Sequence, residues 1–406
     1  MSVFWRGGLT GPIIGALWLL VLSVTVAVAV SFGTGDAFRP VVWLSLLWGA
    51  LGGLALVAAR PGVPVAALSL AVVLGALAAV GFGPVAVGES VGTGWEIGVN
   101  AVLGALFGLS ARVILEEVPG LGALTRHQFE DAVIRFLTGF GYIFFTAIVV
   151  IPFYVMVMTS LKSQQALLQN PLDFSLDLSR GMELFRSYRE LFVDYSFARY
   201  LWTSFYVSCL TVFITLLFSV PGAYAVARLR FSGRAAFSRS ILLIYMVPMI
   251  VLALPIYIAF SQLGLRNTVF GIVLIYPVTT IPVALYMLQG YFRGLPAEVE
   301  EAGLMDGLSR LAVIWKITLP LALPALASVS LYVFMIAWNE FLLAFMLLDD
   351  PSKFTLTRAV TSLNSSEVPR QHLMAGAVIA TVPIMALFLG LEKFMTKGLT
   401  AGSVKG

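Results

Sequence analysis

The chain has 406 residues, of which 59% are apolar and only 11% charged, with a mean hydropathy of +0.95. A soluble domain carries about 25% charged residues, and a globule of this size has too little interior to bury so much apolar surface. A single cysteine excludes an intrachain disulfide, and a net charge of +4 gives no indication of nucleic-acid binding. The composition therefore predicts an all-α polytopic membrane protein.

About ten stretches contain the roughly 20 mostly apolar residues that a membrane-spanning helix needs. The first of them lacks a clear small-residue cleavage site, so we expect a retained helix and not a signal peptide. The predicted spans cover residues 10–31, 40–59, 62–82, 97–115, 138–159, 200–222, 240–261, 268–290, 321–346 and 374–395.

The first four spans are rich in glycine, alanine, valine and leucine and almost free of charge. Gly49 and Gly53, and again Gly104 and Gly108, have a spacing that lets helix backbones approach closely. Ordinary packing within the chain is favoured over a specific dimer interface as the reason for this spacing.

A charged segment separates the first four spans from the rest. Within residues 121–137, Val133, Phe136 and Leu137 follow the apolar pattern of a helix lying at a membrane surface. We therefore predict a four-helix extension over 1–120, a cytoplasmic amphipathic linker over 121–137 and a six-helix core over 138–406.

Basic residues between the predicted spans indicate orientation. The connection after the sixth span contains four arginines and no acidic residue, which places it in the cytoplasm by the positive-inside rule. The longer polar loops at about 162–199 and 349–372 then face the other side. With ten spans, both termini are predicted to be cytoplasmic. The four arginines are Arg228, Arg230, Arg234 and Arg239.

The chain contains no energy source of its own. None of its six lysines follows a glycine, so it has no phosphate-binding P-loop. Ion-coupled carriers keep ionisable groups near the bilayer midplane, and the core spans are nearly free of them. Glu340 is expected near the outer interface, either as an interfacial carboxylate or lining an outer cavity. A secondary carrier remains an alternative, whereas no paired carboxylates or nucleophile–base set indicate an enzyme.

One predicted cytoplasmic connection, residues 296–320, is longer and better organised than a loop requires. Pro296 and the acidic residues after it suit the first turn of a helix. Gly307 is expected to end that helix, and Ser309 to cap a second one. Such a helix–turn–helix fits a groove on a soluble partner. The alternative is a surface helix without a partner.

The same segment resembles the EAA motif of permease subunits in binding-protein-dependent ABC importers. The match is in register over 20 residues, although Gly303 replaces the usual second alanine and Leu308 stands where a small residue is usual. The matched positions, together with Gly303, are Glu301, Ala302, Gly303, Asp306, Gly307, Ile317, Leu319 and Pro320.

Further segments are similar to the carbohydrate-uptake branch of that family, and to the second permease of maltose-type transporters. The resemblance covers about residues 138–406 and leaves the first 120 residues without a match. The segments that carry it are Ala223–Arg228, Phe231–Arg234, Trp338–Phe341 and Gly398–Gly406.

The resemblance implies a type I ABC importer permease core, with a transmembrane domain at about 200–395 and an ATPase-coupling loop at 296–320. It implies a heterodimer with a second permease, two cytoplasmic ATPase subunits and an extracytoplasmic solute-binding protein, in a prokaryotic plasma (inner) membrane. ATP and Mg would be bound by the ATPases, with no cofactor or metal on this chain.

A sugar is the implied substrate, and a maltose-like oligosaccharide or related glycoside is expected. Aromatic rings can stack on sugars, but in membrane helices they more often serve packing. The candidates for the substrate pathway are Tyr257, Tyr276, Tyr286, Asn339 and Glu340.

Overall fold

The computed structural model describes residues 6–88, 91–170, 173–365 and 368–400, without the side chains of residues 242, 244–245 and 392–400. The C-terminal resemblance at Gly398–Gly406 therefore falls largely outside the described residues. The chain divides into two compact units, Met1–Leu184 and Phe185–Gly406. The boundaries that the sequence suggests, at 120 and 138, stay a prediction.

The first unit is helical, with one two-stranded antiparallel sheet in which Phe38 pairs with Val87. Its core lies among α1 to α5 and includes Trp18 and Phe107. The elements are α1 Gly7–Thr34, β1 Phe38–Pro40, α2 Val42–Ala59, α3 Val63–Ala79, β2 Val85–Val87, α4 Thr93–Ile114, α5 Arg126–Ser160 and α6 Gln164–Gln169.

Glycines bring the helices of this unit together in sequential pairs. A Cβ added to Gly53 on α2 would lie 2.1 Å from the Gly11 carbonyl oxygen of α1. A Cβ added to Gly104 on α4 would lie 2.2 Å from the Leu70 carbonyl oxygen of α3. The backbones are therefore too close for any larger residue, and the glycine spacing serves packing within the chain.

The charged segment predicted as a surface linker forms the first turns of α5. Thr125 caps this helix in a reciprocal pair of bonds with Gln128, and the helix continues for 35 residues to Ser160. At 1.5 Å per residue it is roughly 52 Å long, well beyond the bilayer's hydrocarbon core. Arg135 in its first half forms ion pairs with Glu116 at 2.6 Å and with Asp131 at 2.8 Å.

The second unit contains the remaining helices, and α8, α11, α15 and α18 form most of its packing. A π-helical turn at Ile314–Thr318 and short 3₁₀ segments at Leu178–Phe185 and Pro351–Lys353 complete the chain. The helices are α7 Arg186–Val193, α8 Phe197–Arg228, α9 Arg234–Tyr245, α10 Met249–Gln262, α11 Val269–Gly294, α12 Ala297–Met305, α13 Arg310–Val313, α14 Leu319–Leu321, α15 Leu323–Asn339, α16 Leu342–Leu347, α17 Leu356–Ser362 and α18 Arg370–Thr400.

Two spans predicted as continuous helices are interrupted. The seventh breaks between α9 and α10, where Pro248 adopts an extended conformation before the first turn of α10. The ninth breaks at Glu340, which is extended and accepts hydrogen bonds from the N–H groups of Leu343 and Ala344. Its carboxylate thus caps α16 and does not continue α15.

Within the described residues, seven helices are long and apolar enough to cross a membrane. An eighth span results if the bent pair Arg310–Leu321 and Leu323–Asn339, at 74°, counts as one. The other two predicted spans contain shorter apolar helices, Val63–Ala79 and Met249–Gln262. The structure therefore confirms a polytopic all-α fold, but not the count of ten spans.

Loops of the second unit contact one another near the start of α8. At the end where α8 begins, Glu190 on α7 contacts His372 on α18 at 2.6 Å. Arg186 and His372 hold the pKa of the Glu190 carboxyl below its usual value. Ser204 near the start of α8 accepts a hydrogen bond from the Leu356 N–H. These are the loops that the sequence places on one side of the membrane.

Candidate coupling site

The loop at 296–320 forms the helix–turn–helix that the sequence predicts. Its first helix, α12, ends at Met305, and Gly307 turns the chain with φ of +83°, in the left-handed region that favours glycine. Ser309 then caps α13 by accepting a hydrogen bond from the Ala312 N–H. The loop therefore has a defined shape built from its own sequence.

Gly303, where the motif usually has alanine, is buried between the two helices of the loop. A Cβ at this position would lie 2.6 Å from the Cδ1 atom of Ile317, the end of a flexible side chain. Glycine thus lets α12 lie closer to the π-helical turn of residues 314–318. An alanine here would need only a shift of the Ile317 side-chain end, so the departure from the motif leaves the shape of the loop unchanged.

Large apolar side chains of the loop project away from the protein. Met305 is 88% exposed, Leu311 70% and Trp315 71%. Glu301, one turn before Met305 on α12, is also exposed. Soluble surfaces rarely leave such side chains uncovered in a group, so this surface is suited to a protein partner.

The second helix divides its apolar residues between two faces. Regular α-helical spacing would put Leu311, Trp315 and Thr318 on one face, but Thr318 is fully buried while Leu311 and Trp315 project outward. The π-helical turn has more residues per turn than an α-helix and so rotates the positions after it.

Glu300, immediately before the matched Glu301, points into the protein. It is 8% exposed and accepts hydrogen bonds from the Tyr224 hydroxyl at 3.2 Å and the Thr318 hydroxyl at 3.1 Å. The Arg228 Nε atom lies 3.4 Å from its carboxylate, and the Arg228 Nη2 group donates to the Leu295 carbonyl oxygen. We call Tyr224, Arg228, Glu300 and Thr318 the loop joint.

The sequence treats Glu300 only as an acid that complements the helix N-terminus. A signal for the loop joint was present, because Tyr224 and Arg228 are four residues apart and so share a face at the end of α8. On α12, Glu300 and the small Gly303 are three residues apart and share a buried face that does not include Glu301. Neither pattern shows that the face on α8 contacts the face on α12. Only the three-dimensional structure shows this contact.

The remaining matched positions lie along the loop as the motif requires. Ala302 is exposed, and Asp306 is an exposed residue that ends α12. Leu319 and Pro320 form α14 directly after the π-helical turn. Their role in coupling stays a prediction.

The five candidates for the substrate pathway do not form one cluster. Tyr276 is 1% exposed and packs in an apolar cluster that Tyr257 adjoins, and the Arg266 guanidinium lies 4.9 Å above the Tyr257 ring. Tyr286 is 52% exposed but lies ten residues, roughly 15 Å, further along α11 than Tyr276. Asn339 is exposed and donates to the Met335 carbonyl oxygen.

In the part of the chain that the structure describes, no three histidine, cysteine, aspartate or glutamate side chains are close enough to hold a metal ion.

The comparison with family models matches residues 219–400 to the binding-protein-dependent transport system inner membrane component family. The inner membrane ABC transporter permease protein YcjP of Escherichia coli (strain K12) is 37% identical over 66% of this chain and 95% of its own length. The trehalose/maltose transport system permease protein MalG of Thermococcus litoralis is 32% identical over 68% of this chain and 99% of its own.

A solved structure has the same fold. The crystal structure of a bacterial ABC transporter involved in the import of the acidic polysaccharide alginate matches with a TM-score of 0.56. The match is 24% identical in sequence and covers 66% of this chain and 98% of that one. About a third of this chain has no counterpart in that protein or in the two relatives above.

The fold and the coupling loop define a multi-pass inner membrane permease. The chain belongs to the binding-protein-dependent transport system inner membrane component family. It is a permease of an ABC importer, a transport component and neither an enzyme nor an ion-coupled carrier. Members of this family work together with other components of their transporters.

Proposed function

We propose that the chain forms one half of the translocation path of an ATP-driven importer of sugars, with a maltose-like oligosaccharide or related glycoside as substrate. Relatives whose names state trehalose, maltose, arabinooligosaccharides and diacetylchitobiose support a sugar. Among the pathway candidates, Asn339 and Tyr286 are exposed enough to meet a substrate. The burial of Tyr276 favours packing as its role.

The importer would contain a second permease subunit, two cytoplasmic ATPase subunits and an extracytoplasmic solute-binding protein. ATP and Mg would be bound by the ATPases, with no cofactor on this chain. The most apolar stretch of α5 has no buried residue, so this helix has a long face free for lipid or the second permease. The exposed residues of the coupling loop suit the ATPase.

The arginines after α8 and the coupling loop lie at the same end of the second unit, since Arg228 contacts Glu300. By the positive-inside rule this end faces the cytoplasm, where ATP is available. Both termini would then be cytoplasmic. The opposite end, which contains Glu190 and His372, would meet the solute-binding protein.

The mechanism would be alternating access. Closure of the ATPases around ATP would move α12, and the spans connected to it would change from inward-facing to outward-facing. Met305, Leu311 and Trp315 would fill the groove of the ATPase, while Glu301 would meet a basic group or backbone amides there. The single observation that carries this proposal is the exposed, motif-matched helix–turn–helix.

The test uses Gly307→Pro and Glu301→Lys in the complete transporter. Proline removes the positive φ of the turn, and lysine reverses the exposed charge, so both should reduce sugar uptake by roughly tenfold or more if each costs at least about 1.4 kcal/mol of docking. Membrane insertion and sugar binding to the solute-binding protein should stay unchanged.

Glu298→Gln, an exposed change on the same helix outside the matched positions, serves as the control. Normal uptake in both test variants would remove the loop from the mechanism. The sugar itself would be identified by measuring which sugars the solute-binding protein holds.

A further inference from the structure

The loop joint connects three segments that are distant in the sequence. Tyr224 and Arg228 belong to the end of α8, Glu300 belongs to α12, and Thr318 to the π-helical turn that precedes α14. A single carboxylate contacts all three partners. Its position therefore fixes α12 both to a long membrane helix and to the entry of the next span.

α12 depends on such a contact for its position. It has nine residues, too few for a stable isolated helix, so its geometry comes from tertiary contacts. Gly303 packs it against the other helix of the same loop. In the part of the chain that the structure describes, Glu300 is the α12 residue whose side chain hydrogen-bonds or ion-pairs with α8.

The contact is buried on both sides. The side chains of Arg228 and Glu300 are 13% and 11% exposed. A buried ion pair resists separation, because either charge left alone would be desolvated without compensation. The joint is therefore rigid where an exposed ion pair would be loose.

Adjacent acidic residues thus have different surroundings. Glu301 faces outward with the apolar residues of the loop, and Glu300 faces α8, as expected for neighbours about 100° apart around a helix. Glu301 is available to a partner protein, whereas Glu300 is bonded to other residues of this chain.

We propose that Glu300 is a positioning residue that makes α12 and the cytoplasmic end of α8 move as one body, so that motion of the docked loop reaches the translocation path through Arg228 and Tyr224. Without this carboxylate, α12 still docks, but its motion is absorbed in the loop and no longer reaches α8. This inference rests on the proposed docking of the loop on an ATPase.

The experiment measures sugar uptake and ATP hydrolysis in parallel, with the complete transporter in proteoliposomes and its solute-binding protein present. The test variants are Glu300→Gln, which keeps the shape and removes the charge, Glu300→Ala, and the milder Tyr224→Phe. Glu298→Gln is the matched control on the same helix, because its side chain is exposed.

We expect ATP hydrolysis to persist in the Glu300 variants, while the number of sugar molecules imported per ATP falls by roughly two- to thirtyfold, the range that substitutions along coupling networks produce. Tyr224→Phe should give a smaller fall, and Glu298→Gln should keep the ratio. A purely structural role would reduce the yield of complex without changing this ratio.

A normal ratio of sugar to ATP in the Glu300 complexes that assemble would overturn the proposal, however few they are. This outcome differs from failure of the proposed docking, in which Gly307→Pro and Glu301→Lys would import sugar normally. The docking of the loop and the positioning role of Glu300 are therefore tested by different variants.

Discussion

At the scale of single residues, buried charges are the positions where substitution has the largest effect. Lys162, 7% exposed, follows α5 and contacts Asp173 at 2.8 Å. Burial raises the pKa of the Asp173 carboxyl, but hydrogen bonds from Lys162 and Ser175 outweigh it and hold the pKa below its usual value. This pair ties the end of α5 to the segment after it.

We predict that Asp173→Asn lowers the thermal stability of the protein at neutral pH, by roughly 3 kcal/mol of unfolding free energy, because Lys162 is left buried without its partner. A carboxylate with a lowered pKa stabilises the fold above its unfolded pKa, and this contribution disappears as the pH falls through the folded value.

The difference in melting temperature between Asp173→Asn and the parent protein should therefore be constant near neutral pH and narrow below about pH 4. Melting curves recorded in detergent across this pH range measure the difference, with Asp194→Asn as the control for an exposed carboxylate. A difference that persists unchanged into acid would assign the effect to something other than the charge.

Residue types and spacing predicted the local features of the coupling loop well. Gly307 and Ser309 act on their own backbone, so their turn and cap geometry follows from neighbouring residues alone. The burial of Glu300 did not follow, because it depends on α8 reaching the loop from more than 70 positions away. The sequence shows both residues of such a contact, but only the fold shows that they touch.

At the scale of helices, close backbone contact governs the first unit. We predict that Gly104→Ala destabilises the α3–α4 pair by about 1–3 kcal/mol, since its Cβ would overlap the Leu70 carbonyl oxygen and the backbones would have to separate. Gly98→Ala on the same helix should be tolerated, because nothing lies within 4 Å of that position.

Melting temperature and yield in detergent compare the two variants directly. Equal stability of Gly104→Ala and Gly98→Ala would show that the contact relaxes without cost, and the glycine spacing would then have no packing role.

Hydropathy located the helices but not their interruptions. Residues around Pro248 and Glu340 are apolar enough to continue a span, and local backbone conformation ends it there. Pro248 is extended before α10, whereas the Glu340 carboxylate replaces a backbone acceptor for the first N–H groups of α16. An average over 20 residues does not register either effect.

At the scale of the whole molecule, the relatives account for about two thirds of the chain and leave the rest unexplained. Within residues 2–120, the four helices α1 to α4 are apolar and packed through glycines, without a charged cluster among the described residues of the spans. We propose that they support assembly, stability or lipid contact, with docking of a regulator as the alternative.

Deleting residues 2–120 should lower the yield or melting temperature of the transporter far more than it lowers uptake per assembled complex. The reason is that the two relatives align over nearly their whole length with only about two thirds of this chain. Quantifying assembled complexes before the uptake measurement separates the two effects. A truncated transporter that assembles normally yet imports nothing would place these helices in the translocation machinery.

The glycine contacts of the first unit also bear on how the protein is made. The contacts of Gly53 with Gly11 and of Gly104 with Leu70 join neighbours in the chain, α1 with α2 and α3 with α4, across the links 35–41 and 80–92. Both hairpins can therefore close soon after they enter the membrane, before α8 exists. At about 5–20 residues per second, synthesis of the following hundred residues takes roughly 5–20 seconds, which is ample for local helix pairing. The nascent permease would thus be anchored by a finished module while its slower, long-range contacts, including the one between Arg228 and Glu300, are still unmade.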